Sequence, residues 1–258
     1  MTRISSTACL LVALAATAAR ADDVAAWKSD VQIGDDTHAE QSAVKLAQSK
    51  DGKAQDAILD LLALGVPPRH AAVLLGGLAG RKDVRAIEVL GVFARNRNQE
   101  LRKRAVGILG AIADAKVVPL LLAALSDGAV EVRAEAAAAL GKRKEHGAEG
   151  KLLQLLERKD EAAPAALAAI ATPELAHRLA EKIGPIPDAL LCATFGEILK
   201  RPDFGPDPVR VEIVKTLAKI PGLDSTTALI EYTQATEKDP KRPSRKAAQD
   251  IIDQRNRS

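Results

Sequence analysis

Apolar positions along this chain recur at steps of three and four, in stretches a few turns long broken by short polar segments. That spacing lines them up on one side of a helix. It predicts helices near 37–49, 53–64, 67–79, 82–95, 98–111, 115–126, 129–142, 147–158, 161–171, 173–183, 187–200, 207–220, 224–237 and 243–255. The connections are short, as between antiparallel neighbours. Val, Ile and Thr never alternate with polar residues over a strand-length run, so the expected fold class is all-α. Thr172-Pro173 and Asp207-Pro208 read as helix starts, each pairing a capping oxygen with a proline at the first helical position. Gly65, Gly80, Gly141 and Gly184 fall where helices end, the place for a left-handed cap.

Two of these helices share one frame. Arg102-x-x-Ala105-x-x-x-Leu109-Gly110 and Arg133-x-x-Ala136-x-x-x-Leu140-Gly141 agree in residue type as well as spacing, position 102 answering to 133 and 110 to 141. A helix pair that short cannot bury its apolar face alone, so copies must stack into an α-solenoid of armadillo or HEAT-like type. Arg69-x-x-Ala72 carries the frame back by a similar interval, and Arg210 and Arg245 carry it forward. Between Arg133 and Arg210 there is room for two intermediate copies, but position 164 is proline, and 160–206 has no clear phase. The composition suits helix stacked on helix: hydrophobic residues make up 47% of the chain but aromatic ones only 2%, so small aliphatic side chains must fill the interior.

The segment 1–21 reads as a secretory signal: Arg3, then an uncharged apolar run from Ala8 to Ala19, then Ala19-Arg20-Ala21 before a cut ahead of Asp22. An exported protein in the periplasm or outside the cell is expected, with no membrane span because the run is shorter than the roughly 20 residues a spanning helix needs. Cleavage removes Cys9 and takes Arg3 and Arg20 from a formal charge of +3, leaving +1. That balance gives no electrostatic footprint for nucleic acid. Cys192, left without an internal partner, reads as a buried inert thiol. The segment 22–36 reads as a polar, irregular N-terminal arm whose Trp27 docks over the open end of the first helix pair, and 37–255 as the solenoid.

The run Asp127-Gly128-Ala129-Val130-Glu131-Val132-Arg133, continuing to Leu140-Gly141 and preceded by Val118-Pro119-Leu120-Leu121-Leu122-Ala123-Ala124-Leu125, resembles a HEAT repeat of the short bacterial, phycobilisome-lyase-like type. The resemblance covers most of 37–255 and is strongest in 98–142. It implies that the second helix of each pair lines a concave side. It also implies that its arginine reaches the loop of a neighbouring copy and holds adjacent repeats in register. The inter-repeat set is then Arg69, Arg102, Arg133, Arg210 and Arg245, with Asp127 and Asp239 as loop acceptors. Asn96, Asp127 and Asp239 each stand six residues before Arg102, Arg133 and Arg245.

Candidate chemistry is sparse. His38, His70, His146 and His177 stand apart, with no zinc-ligand spacing. A HEAT-repeat hydroxylase that binds iron uses His-Glu pairs, and no such dipeptide occurs here. Gly-x-Ser-x-Gly and phosphate-binding glycine loops are missing too. Two basic clusters, Arg102-Lys103-Arg104 and Lys142-Arg143-Lys144, are about one repeat apart. They admit a patch for an acidic partner or an anionic envelope surface, or ordinary solvated charge. The expectation is an exported, non-catalytic scaffold that binds another protein, without cofactor or metal and monomeric. Self-association as an envelope component, and a lyase-like chaperone or enzyme, remain the alternatives.

Overall fold

The computed structural model describes residues 21–235 and 242–257. The expected signal segment, save its last residue Ala21, and Asp239 therefore lie outside the described residues. Where one solenoid over 37–255 is expected, the chain divides after Leu78 into two compact units. Both are built of short helices stacked in two rows. The described residues hold no strand, and the fold class is an all-α solenoid.

The first unit contains α1 (Ala21–Ile33), α2 (Asp36–Gln48), α3 (Gly52–Leu64) and α4 (Pro68–Leu78). α1 packs on α2 and α3, and α2 on α4, which gives rows α1/α3 and α2/α4. The arm expected over 22–36 is thus a helix. Val24 and Val31, seven residues apart and so on one face, are both buried, an apolar stripe too thin to stand out in a polar segment. Trp27 is half-buried on this helix, with the Lys45 ammonium 6.0 Å from its ring centre, a cation–π distance.

The second unit contains α5 (Ile87–Phe93), α6 (Gln99–Ala111), α7 (Val117–Ala124), α8 (Val130–Lys142), α9 (Glu149–Glu157), α10 (Ala163–Ile170), α11 (Pro173–Ala180), α12 (Asp188–Lys200), α13 (Asp207–Lys219), α14 (Leu223–Gln234) and α15 (Pro243–Arg255). One row runs α6, α8, α10, α12, α14, each packed on the next; the other holds α11, α13 and α15. The row is close-packed because small residues let backbones approach. A Cβ on Gly110 would lie 2.6 Å from the Cβ of Ala139, and one on Gly141 would lie 3.1 Å from the Cα of Ala166. Gly141 is therefore a packing glycine, not a left-handed cap. The left-handed position after α8 falls to Lys144, φ 52°, in a Schellman turn where Glu145 N–H donates to the Leu140 carbonyl. Replacing Gly110 with valine is expected to cost about 2–3 kcal/mol by overpacking, measured as a shift in urea midpoint; a neutral result would mean that α6 and α8 can separate freely.

The phase lost in 160–206 is explained by the rows. α9 to α12 fill the interval after α8, so the next arginine helix, α13, is the fifth helix on and lies in the opposite row. Arg210 and Arg245 are therefore carried by a different row from Arg102 and Arg133. Cys192 is buried on α12, and burial pushes its thiol up to about 11. Thr172 caps α11 by accepting from the Leu175 N–H. Asp207 does not cap α13; it accepts instead from the Ser244 backbone and hydroxyl.

Candidate functional site

The loops entering α6, α8 and α10 lie side by side along one edge of the second unit and are tied by two arginines. Arg102 donates to both Asp127 carboxylate oxygens, Nε at 2.7 Å and Nη2 at 2.9 Å, while Nη1 donates to the carbonyl of Asn96 at 2.9 Å. Arg133 repeats the arrangement one step on: Nε donates to Asp160 at 2.5 Å and Nη1 to the carbonyl of Asp127 at 2.8 Å. Each guanidinium thus joins its own loop to the next. Asp127 takes part twice, its side chain accepting from Arg102 and its carbonyl from Arg133. Charge-assisted bonds are the strong ones, two-pronged in Arg102–Asp127 and single in Arg133–Asp160, and they are shielded: the Asp160 side chain is only 5% exposed.

The chain of bonds ends there because Pro164 stands where a further arginine would fall; it is buried in the first turn of α10, and Asp160 turns its other oxygen to the Ala162 N–H. Asp160 escaped the sequence reading, although its signal was present: it stands 27 residues after Arg133, much as Asp127 stands 25 after Arg102.

The remaining arginines of the expected set differ. Burial sets the frame of α4: His70, Leu74, Leu75 and Leu78, moved along by the interval that carries 102 to 133, become Leu101, Ala105, Val106 and Leu109, all buried on α6. The counterpart of Arg102 is then Ala71, not Arg69, which matched by residue type at the wrong interval. Arg69 is half-exposed and pairs with Asp36 at the start of α2. Arg210 is fully buried and donates to the carbonyls of Leu199 at 2.8 Å and Arg201 at 2.6 Å, with its guanidinium over the Phe204 ring. Arg245 donates to the Ala235 carbonyl at 2.7 Å and lies over the Tyr232 ring.

A second arginine set was not foreseen. Arg143, just after α8, donates to the carbonyls of Ile112 and Asp114 beyond α6. Arg201, just after α12, does so to Ala168 and Ala171 at the end of α10. Arg255, ending α15, caps Leu217, Ala218 and Ile220 at the end of α13. Each satisfies orphan carbonyls of the preceding helix in its own row. No periodic signal marks them, since the sequence positions follow helix ends rather than the repeat.

This dissolves the two basic clusters as free patches. Arg102 and Arg143 are taken up by loops and carbonyls, Arg104 pairs with Glu100, and Lys144 with Asp203. Of the six, Lys103 and Lys142 are left at the surface. Of the histidines, His38 pairs with Asp35 and His177 lies 3.3 Å from Glu212, His70 is buried beside Arg69, and His146 is exposed.

The Arg102 guanidinium, followed by the Ala129 N–H, holds the Asp127 carboxyl below the usual carboxylate range; Arg201 and Lys144 do the same for Asp203. A carboxyl depressed in the folded state stabilises above its unfolded value of about 4 and loses that contribution as pH falls through the folded value. Stability is therefore expected to fall as the pH drops below about 4. Asp127→Asn should show a shallower fall, read from urea midpoints as the pH is lowered below about 4.

Between the tied loops lie two grooves, of about 630 Å³ between the α7–α8 and α9–α10 loops and about 410 Å³ between the α5–α6 and α7–α8 loops. The residues of the ion pairs are among those that line them. The family model for HEAT repeats matches residues 87–172, the span from α5 to the end of α10 that contains both grooves and the arginine chain. That span carries HEAT repeats. A solved structure, the complex of CpcE and CpcF of phycocyanin lyase from Nostoc, is similar at 16% identity over 90% of this chain and 94% of that one, with a TM-score of 0.47. Human deoxyhypusine hydroxylase is similar at 20% identity over 91% of this chain and 97% of that one, TM-score 0.39. No curated protein matches the sequence. The expectation of a chain without catalytic activity does not stand: a lyase and a hydroxylase are among the similar structures.

Proposed function

We propose that this HEAT-repeat chain is an exported scaffold that binds another protein on its stacked helices. The observation that carries the reading is the chain of bonds Arg102, Asp127, Arg133, Asp160, which clamps successive loops into one firm edge and leaves the neighbouring grooves open. A surface assembled from repeats is extended and preorganised, so a partner loses little to ordering it. Export rests on the leader-like segment from Met1 to Ala21. Among the described residues no helix is long and apolar enough to cross a membrane.

The test is cross-linking in intact cells followed by mass spectrometry of the purified chain. Expected are a mature N-terminus at Asp22 and a reproducible protein partner linked to the second unit. An uncut N-terminus would remove the export reading, and cross-links to no protein at all would remove the scaffold.

A further inference from the structure

Pairing along the clamped edge is uneven. Asp127 and Asp160 are neutralised by Arg102 and Arg133, yet Arg95, Arg97, Arg158 and Lys159 on the same loops are exposed, and no hydrogen bond or ion pair within the described residues engages their side chains. Arg95 lines the smaller groove, and Arg158 and Lys159 line the larger. One exposed acid, Glu161, lines the larger groove with them, while the exposed Glu157 before Arg158 pairs with Lys182. The edge therefore carries cations at both ends and a neutral step, Ser126 to Val130, in the middle. Val130 lines the larger groove and is 54% exposed, an apolar spot between the two charged ends. Lys159 is held outward by a Schellman turn with φ 64°, in which Asp160 N–H donates to the Leu155 carbonyl.

We infer that this edge is the docking site for an extended acidic segment of a partner protein, with two acidic pairs flanking a small apolar residue. The inference rests on the scaffold reading and places its contact. The two cationic ends are two repeat steps apart, about 16–20 Å at the usual 8–10 Å between packed helices. An extended chain advances about 3.3 Å per residue, so acidic pairs centred about five to six residues apart match both ends. The middle residue then meets Val130. Four cations with an acid among them and no aromatic ring lining either groove suit a short acidic peptide better than nucleic acid, which is gripped by broader basic surfaces and base stacking.

The probe is the fluorescent peptide Glu-Glu-Ser-Val-Ala-Ser-Glu-Glu, titrated by anisotropy against the full chain. Arg95→Ala, Arg158→Ala and Lys159→Gly combined should weaken binding about tenfold, since each exposed charge contributes a modest factor. The glycine suits the left-handed backbone at 159, and unchanged melting would show that the fold is kept. Glu161→Lys should tighten binding about threefold. Three results overturn the proposal: no saturable binding, equal binding of the isomer Glu-Glu-Glu-Glu-Ser-Val-Ala-Ser, or variant-sensitive binding confined to phosphatidylglycerol vesicles or an oligonucleotide. A cellular partner cross-linked to the helix rows instead of this edge would sink the site while leaving the scaffold reading intact.

Discussion

Replacing Arg210 with alanine is expected to lower the free energy of unfolding by about 3–5 kcal/mol, combining unmet buried carbonyls with a cavity. The side chain is fully buried, and its two terminal nitrogens hold the carbonyls of Leu199 and Arg201 where α12 ends. Removing it leaves those acceptors without a donor and takes away the cation above Phe204. Arg210→Met fills most of the volume without donors and should recover only part of the loss; Arg210→Lys restores one donor and should recover more. Urea unfolding followed by circular dichroism separates the three. Equal stability of the methionine and wild-type chains would show that packing alone accounts for the residue.

The second large effect concerns Arg133 and Asp160. Arg133→Ala should cost about 2–3 kcal/mol, the cost of leaving a buried charged acceptor unpaired, because Asp160 then keeps a nearly enclosed carboxylate and loses its cation. Asp160→Ala should cost a similar amount, and the double variant less than the two together, with a coupling energy of about 1–2 kcal/mol. Strict additivity would mean that the pair contributes nothing jointly. Arg102 and Asp127 are more exposed than Asp160 and should couple more weakly. Since both pairs hold the loops that line the grooves, peptide binding should weaken in Arg133→Ala only as far as the loops lose their positions.

Much of this was legible in residue order. The helices α2 to α15 fall within a few residues of the periodicity, because each buries one apolar face and short polar breaks mark the turns. The Leu-Gly frame at 109–110 and 140–141 was visible too, and its physical cause, close approach to Ala139 and Ala166, required the packed row. The arginine frame misled where residue type was followed instead of burial. Arg69 shares the letter pattern with Arg102 but lies two positions from Ala71, the counterpart that the buried stripe sets, and Arg210 lies in the other row. Nor could α1 be seen, since two buried valines in a polar segment make a weak signal.

Local order in the sequence determined which segments are helices, the repeat interval that carries Arg102 onto Arg133, and the need to stack, since these follow from side-chain period and from helix pairs too small to stand alone. Tertiary structure decided which cations are consumed and which remain free. Arg102 and Arg143 were drawn to a carboxylate and to helix-end carbonyls that are distant in sequence, whereas Arg95, Arg97, Arg158 and Lys159 met no such acceptor among the described residues. A charge's availability depends on what folding brings within about 3 Å of it, and a linear pattern does not carry that distance.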